Sequence, residues 1–148
     1  MRWRTDLLLE MASILQRKYG GVVPTSKAEL LSLPGVGEYI AGATLCFSKG
    51  EPEILLDTNI VRVLGRVYGL PISEASRRSS EFRVKAQRLL VRGRARETYF
   101  ALIDLAAAIC LPRIPRCEVC PIAAACAFGR RQHKSERQPK AHQRWGTT

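Results

Sequence analysis

Four cysteines crowd the last third of the chain: Cys110, Cys117, Cys120 and Cys126, spaced C-x6-C-x2-C-x5-C. Thiolates are soft ligands, and four of them can close either a tetrahedral zinc site or a cubane iron–sulfur cluster. Zinc sites usually join two C-x2-C pairs across a longer loop. Here one pair has that spacing and all four lie in one compact, proline-interrupted loop, which favours the cluster. A set of reduced, buried thiols is the bland alternative, and four at this density argue against it. The fifth cysteine, Cys46, sits between Leu45 and Phe47 and reads as a core residue.

A second group with chemistry in it is Leu33-Pro34-Gly35-Val36-Gly37. Proline stops a helix and the two glycines permit a tight turn. A helix that starts straight after such a turn leaves its first N–H groups unpaired, at the positive end of its dipole, which is an anion site. The third is Asp57, a carboxylate placed just before another helix. It can act as a helix cap or as a charged participant in a reaction, and local sequence weighs the two equally.

The elements that must position these groups are helical. Apolar residues at 7, 8, 11, 14 and 15 put a helix over Thr5–Tyr19, which Gly20-Gly21 and Pro24 end. Ser26 with Glu29 is a capping box for a short helix at about Lys27–Leu31. The hairpin helix runs from about Glu38 to Ser48 with Ala41, Gly42 and Ala43 turned toward a neighbour. Ile54-Leu55-Leu56 is too short to assign. Asp57-Thr58-Asn59 caps a helix that carries Ile60, Val63, Leu64 and Val67 on one face and closes at Gly69 and Pro71. Ser73–Ser80 reads as a loop or frayed helix, Ser80–Val91 as a helix with Phe82, Leu89 and Leu90 inward, and Glu97–Cys110 as a strongly apolar helix. From Gly129 the chain is polar and basic, including Arg130, Arg131, Lys134, Arg137 and Lys140, and is expected to be disordered. No segment alternates long enough for a sheet, so the fold class is all-α.

Composition narrows the partner. The 148 residues carry a formal charge of +11, which favours a polyanion such as DNA. No apolar run is long enough to span a membrane, and MRWRTDLLLEMAS has no signal-peptide layout. A cytoplasmic, nucleoid-associated protein is expected.

Taken together, LPGVG, the downstream LLDTNIVRV and the cysteine loop resemble the endonuclease III (helix–hairpin–helix) superfamily of DNA glycosylases, from about residue 2 to Phe128. The resemblance implies a helix–hairpin–helix glycosylase domain over 1–128, with a hairpin at about 27–48 and a partial helical barrel. The cysteine loop, 110–126, would carry a [4Fe–4S] cluster on Cys110, Cys117, Cys120 and Cys126; residues 129–148 would be the tail. It makes Asp57 the catalytic carboxylate and assigns Leu33, Gly35, Val36 and Gly37, with Arg113 and Arg116 of the cysteine loop, to DNA binding. The implied partner is double-stranded DNA holding a mismatched or damaged base, and the implied reaction is base excision by cleavage of the N-glycosidic bond.

Tyr39 discriminates within the family. Endonuclease III has a Lys at this position that forms an imine with the sugar; a phenol cannot, so the resemblance implies a monofunctional enzyme with Tyr39 in its catalytic site. Tyr here, and ICLPRIPRCEVC, look closest to the thymine/uracil mismatch glycosylases. An adenine mismatch glycosylase is the alternative within the enzymes. Outside them stand a catalytically inactive DNA-binding remnant and a zinc-stapled binding domain. The family also carries helices ahead of the one that opens this sequence, which complete the barrel and supply the residue that plugs the gap left by a flipped base. Their absence here leads to the expectation of exposed apolar faces around Leu7, Leu8, Met11 and Ile14, on a monomer able to self-associate.

Overall fold

A computed structural model describes residues 2–90 and 93–136, all of them helix, turn or extended connection. The helices are α1 (Arg2–Tyr19), α2 (Lys27–Leu31), α3 (Glu38–Lys49), α4 (Thr58–Tyr68), α5 (Ser80–Leu89), α6 (Ala95–Ala108) and α7 (Ala127–Glu136), with 3-10 turns at Glu74–Arg78 and Cys117–Val119. No strand occurs among the described residues, as the lack of alternating sequence implies.

Two apolar cores share α3. On one side Ala41 and Leu45 join Leu30 and Leu33 beneath Met11, Ile14, Leu15 and Tyr19 of α1. On the other, Cys46 joins Leu55, Leu56, Ile60, Val61, Leu64, Phe82, Ala86, Ala95 and Tyr99. Cys46 is fully buried, the core role expected of it. Helix α4 is the hub of the second core and packs against α5, α6 and α7. Its apolar residues recur at helical spacing, so one face is sealed by Ile60, Val61, Val63 and Leu64.

Helix starts follow the capping rules. Ser26 Oγ accepts from the Glu29 N–H at 3.3 Å and donates to Glu29 Oε2 at 2.6 Å, so this box closes hydroxyl to carboxylate. Asp57 caps α4, its Oδ1 accepting from the Ile60 N–H at 2.7 Å.

The structure corrects three expectations. The chain from Gly129 is not wholly disordered: α7 continues to Glu136, with Phe128 under the Arg66 guanidinium and the Gly129 N–H donating to Cys126 Sγ at 3.4 Å. Basic composition misled there because the helix is held by packing on α4 rather than by its own apolar content. Arg130, Arg131 and Lys134 lie on this helix, whereas Arg137 and Lys140, like Val91 of the expected α5, fall outside the described residues. The segment before α5 is a 3-10 turn, closed by a Ser73–Ser76 capping box. The apolar face of α1 is also only partly bare. Met11 and Ile14 pack on the first core and Leu7 lies against Gly35, while Leu8 and Leu9 are 60% and 67% exposed and Trp3 is open as well. No residue of α1 is fully buried.

Candidate active site

The hairpin is α2, the turn and α3. Gly35 adopts φ +76°, the left-handed region that a side chain resists, so the turn requires glycine there. Gly37 does not share that reason: its φ is −97°, open to any residue. A Cβ at Gly37 would meet nothing within 4 Å, so its bareness leaves room at the start of α3. Gly37 is the N-cap of α3 and, having no side chain, caps none of the first-turn N–H groups. Those donors stand at the positive end of a twelve-residue helix whose first residues, Glu38 to Ile40, are exposed. Leu33, expected at the DNA surface, is 4% exposed. Its side chain belongs to the first core and its carbonyl accepts from the Val36 N–H at 3.1 Å, so it builds the turn instead of presenting it. Val36 likewise packs on that core.

Beside the turn an open cleft of about 850 Å³ is lined by Gly37, Glu38, Tyr39 and Ile40 from the hairpin, by Glu53, Ile54, Leu56, Asp57 and Thr58 from the connection into α4, and by arginines of the 3-10 turn and α5. Tyr39 and Asp57, far apart in sequence, thus face one space. Burial pushes the Tyr39 phenol up, and the Asp57 carboxylate adds to this by disfavouring a second negative charge. The phenol therefore stays protonated across the neutral range. Lys27 sits between Glu53, at 2.7 Å, and Glu38, at 3.3 Å, and fastens the hairpin to the connection that leads to Asp57. The Glu53 hydrogen bond leads in raising the Lys27 pKa, against a smaller opposing cost of burial.

Asp57 is held from two directions. Oδ1 takes the Ile60 N–H, and Oδ2 faces Asn59 Nδ2 at 3.4 Å. Asn59 Oδ1 accepts from Arg62 Nη1 at 3.0 Å, while Arg62 Nε and Nη2 donate to the carbonyls of Cys110, at 2.9 Å, and Ala106, at 3.1 Å. Arg66, one turn on, donates to the carbonyls of Leu111 at 2.6 Å and Pro112 at 2.7 Å and lies 3.3 Å from Cys110 Sγ. A third support comes from Tyr99, whose buried hydroxyl accepts from the Leu55 N–H at 2.8 Å, two residues before Asp57. Burial chiefly drives the Tyr99 pKa up to about 12.

These residues were not singled out in the sequence. Arg62 and Arg66 carried a usable signal: two cations four residues apart on a helix otherwise largely apolar, where a partly buried charge needs partners. Tyr99 carried none, because a buried tyrosine on an apolar helix reads as core.

Cys110, Cys117, Cys120 and Cys126 all line one cavity between α4, α6 and the start of α7, with Arg116 at its edge. Burial raises the Cys117 thiol, and Cys120, Cys126 and Cys110 push it the same way, which marks the four as electrostatic neighbours. Among the described residues no three His, Cys, Asp or Glu side chains converge as they would around a single ion. Arg113 and Arg116 are exposed on the same loop.

Against known proteins, a helix–hairpin–helix motif profile matches residues 18–47, the end of α1 through most of α3. A thymine/uracil-DNA glycosylase of Methanothermobacter thermautotrophicus is 34% identical over 125 residues, covering 84% of this chain and 57% of its own length. The solved structure of a thermostable thymine-DNA glycosylase superposes with a TM-score of 0.74 at 32% identity, over 87% of this chain and 59% of that one. This chain is similar to DNA glycosylases of the thymine/uracil and endonuclease III kinds. A trapped endonuclease III–DNA covalent intermediate superposes as well, with a TM-score of 0.71 at 25% identity over 86% of the chain. The chain spans somewhat over half the length of these relatives.

Proposed function

We propose that this glycosylase homologue is a monofunctional DNA base-excision enzyme that removes thymine or uracil opposite guanine. The observation that carries this reading is the single cleft shared by the hairpin turn, Tyr39 and Asp57. The α3 N–H groups and Gly37 would hold a phosphate of the lesion strand, with Arg113 and Arg116 gripping the backbone from the cysteine loop. The target base must leave the stack, which is least costly at a mismatch.

Cleavage breaks the bond from C1′ to the base nitrogen, and the base departs with the bonding pair. Positive charge grows on the sugar, and the Asp57 carboxylate stabilises it at the cleft wall. Water supplies the new C1′ oxygen, and the proton it gives up ends on the departing base anion, which leaves as the neutral base. The protonated Tyr39 phenol is a hydrogen-bond donor and cannot form an imine, so no strand break follows from this site.

Cys110, Cys117, Cys120 and Cys126 would hold a [4Fe–4S] cluster. Four thiols lining one cavity, with a single C-x2-C pair among them, suit a polynuclear group. When bound, such a cluster would tie the loop of Arg113 and Arg116 to the end of α6 and the start of α7 and contribute no step at the glycosidic bond.

The test is identification of the free base released from duplexes containing G·T, G·U or G·A. Thymine and uracil are the expected products. Adenine alone would assign the chain to adenine excision, and no base from a sample that binds the duplexes would leave a DNA-binding remnant.

A further inference from the structure

One wall of the cleft is cationic and unclaimed by the chemistry at Asp57. Arg77 and Arg78 end the 3-10 turn Glu74–Arg78, Arg83 lies in the first turn of α5, and all three line the cleft that Tyr39 and Asp57 face. All three are exposed. Among the described residues the ion pairs are those of Lys27 with Glu53 and Glu38, and none of these guanidiniums is within ion-pair distance of a described carboxylate. The remaining acids on the cleft wall are Asp57 and Glu74.

The platform under the arginines is fixed. Ser76 is buried; its Oγ accepts from the Ser73 N–H at 2.9 Å, its own N–H donates to the Ser73 carbonyl at 3.1 Å, and its carbonyl accepts from the Ser79 N–H at 3.2 Å. Just before it, Ile72 lies so close to α4 that a Cβ on Gly65 would come within 2.5 Å of its Cγ1. The arginines are thereby held in a set relation to α4, the helix that Asp57 caps. Three neighbouring cations repel one another, and a polyanion in the cleft relieves that cost. The guanidinium fork also matches phosphate oxygens in geometry.

We propose that Arg77, Arg78 and Arg83 form a second backbone clamp, separate from the hairpin turn, that holds phosphodiester groups of duplex DNA along the cleft. It rests on the reading of DNA as the partner, and it adds a site that the hairpin and the cysteine loop do not supply.

The test measures the affinity of the full chain for a G·T duplex across a salt series. The wild type is compared with the triple variant Arg77→Gln, Arg78→Gln, Arg83→Gln, and with a control triple, Arg4→Gln, Arg17→Gln, Arg88→Gln, that removes the same charge from exposed positions off the cleft. The cleft triple should flatten the slope of log affinity against log salt by about 2.7, three contacts at about 0.9 each, and the control by less than about 1. Should the triple melt early, the three single variants replace it, each expected to flatten the slope by about 0.9. Equal slopes for wild type and cleft triple, or equal losses in cleft and control triples, would overturn the clamp; so would a wild type that binds no duplex. A clear slope difference in a protein that releases no base would leave the clamp standing and overturn only the glycosylase reading.

Discussion

At the scale of single residues, the cap role of Asp57 does not withdraw it from the cleft where the proposed chemistry would occur. Asp57 caps α4 through Oδ1 and still lines the cleft. Asn caps a helix as well as Asp does, so Asp57→Asn separates the roles. The substitution should change unfolding free energy by less than about 0.5 kcal/mol and leave duplex binding intact, while base release falls by about 10²–10³-fold. Loss of stability with unchanged base release would leave only the cap. Tyr99 makes a pH prediction. Its folded pKa of about 12 stands above the ordinary value of 10, so the fold binds its proton more tightly than the unfolded chain does. Stability from this group is complete below about pH 10 and is lost as pH rises toward about 12, some ~3 kcal/mol in all. Denaturant unfolding at several pH values should show that alkaline loss in the wild type and its reduction in Tyr99→Phe, which in addition costs about 1–3 kcal/mol at neutral pH by orphaning the Leu55 N–H. That the glycine turn opens a helix, that the four cysteines gather at one cavity and that Asp57 heads α4 were readable from local spacing. The burial of Leu33 was not readable, because a turn-flanking leucine looks the same whether it points into a core or out to a ligand.

At the scale of elements, α4 joins the cleft to the cysteine cavity. Its first turn orients Asp57 through Asn59, and its inner face sends Arg62 and Arg66 into the carbonyls of residues 106 and 110–112. Arg62→Met keeps the aliphatic stem but leaves those acceptors unpaired. It should lower stability by about 1–3 kcal/mol and reduce base release more than it reduces duplex binding. Thermal unfolding with single-turnover base release checks both. Equal activity per folded molecule would mean that Arg62 only braces the loop. The helices themselves were legible from apolar spacing and caps to within a few residues. Helix α7 was not, since its order comes from Phe128 and Gly129 meeting Arg66 and Cys126, contacts that no local pattern records.

At the scale of the whole molecule, two cores joined through α3 set a cationic chain around one open cleft. The all-α class followed directly from the lack of alternating segments. The way the cleft gathers residues 39, 57 and 77–83 did not, because it depends on how the two cores lie across α3. If the cysteine cavity holds a cluster, anaerobically prepared protein should carry iron and acid-labile sulfide in equal amounts. Cys117→Ser should lower both and weaken DNA binding through the loop of Arg113 and Arg116. Stoichiometric zinc in a colourless, folded sample would contradict that assignment. The most direct measurement on the central claim is strand scission of an end-labelled G·T duplex, read before and after alkali. The account predicts no break before alkali and a break at the thymine after it. Breaks without alkali would contradict the monofunctional assignment, and no break under either condition from folded, DNA-binding protein would contradict catalysis at Asp57 altogether.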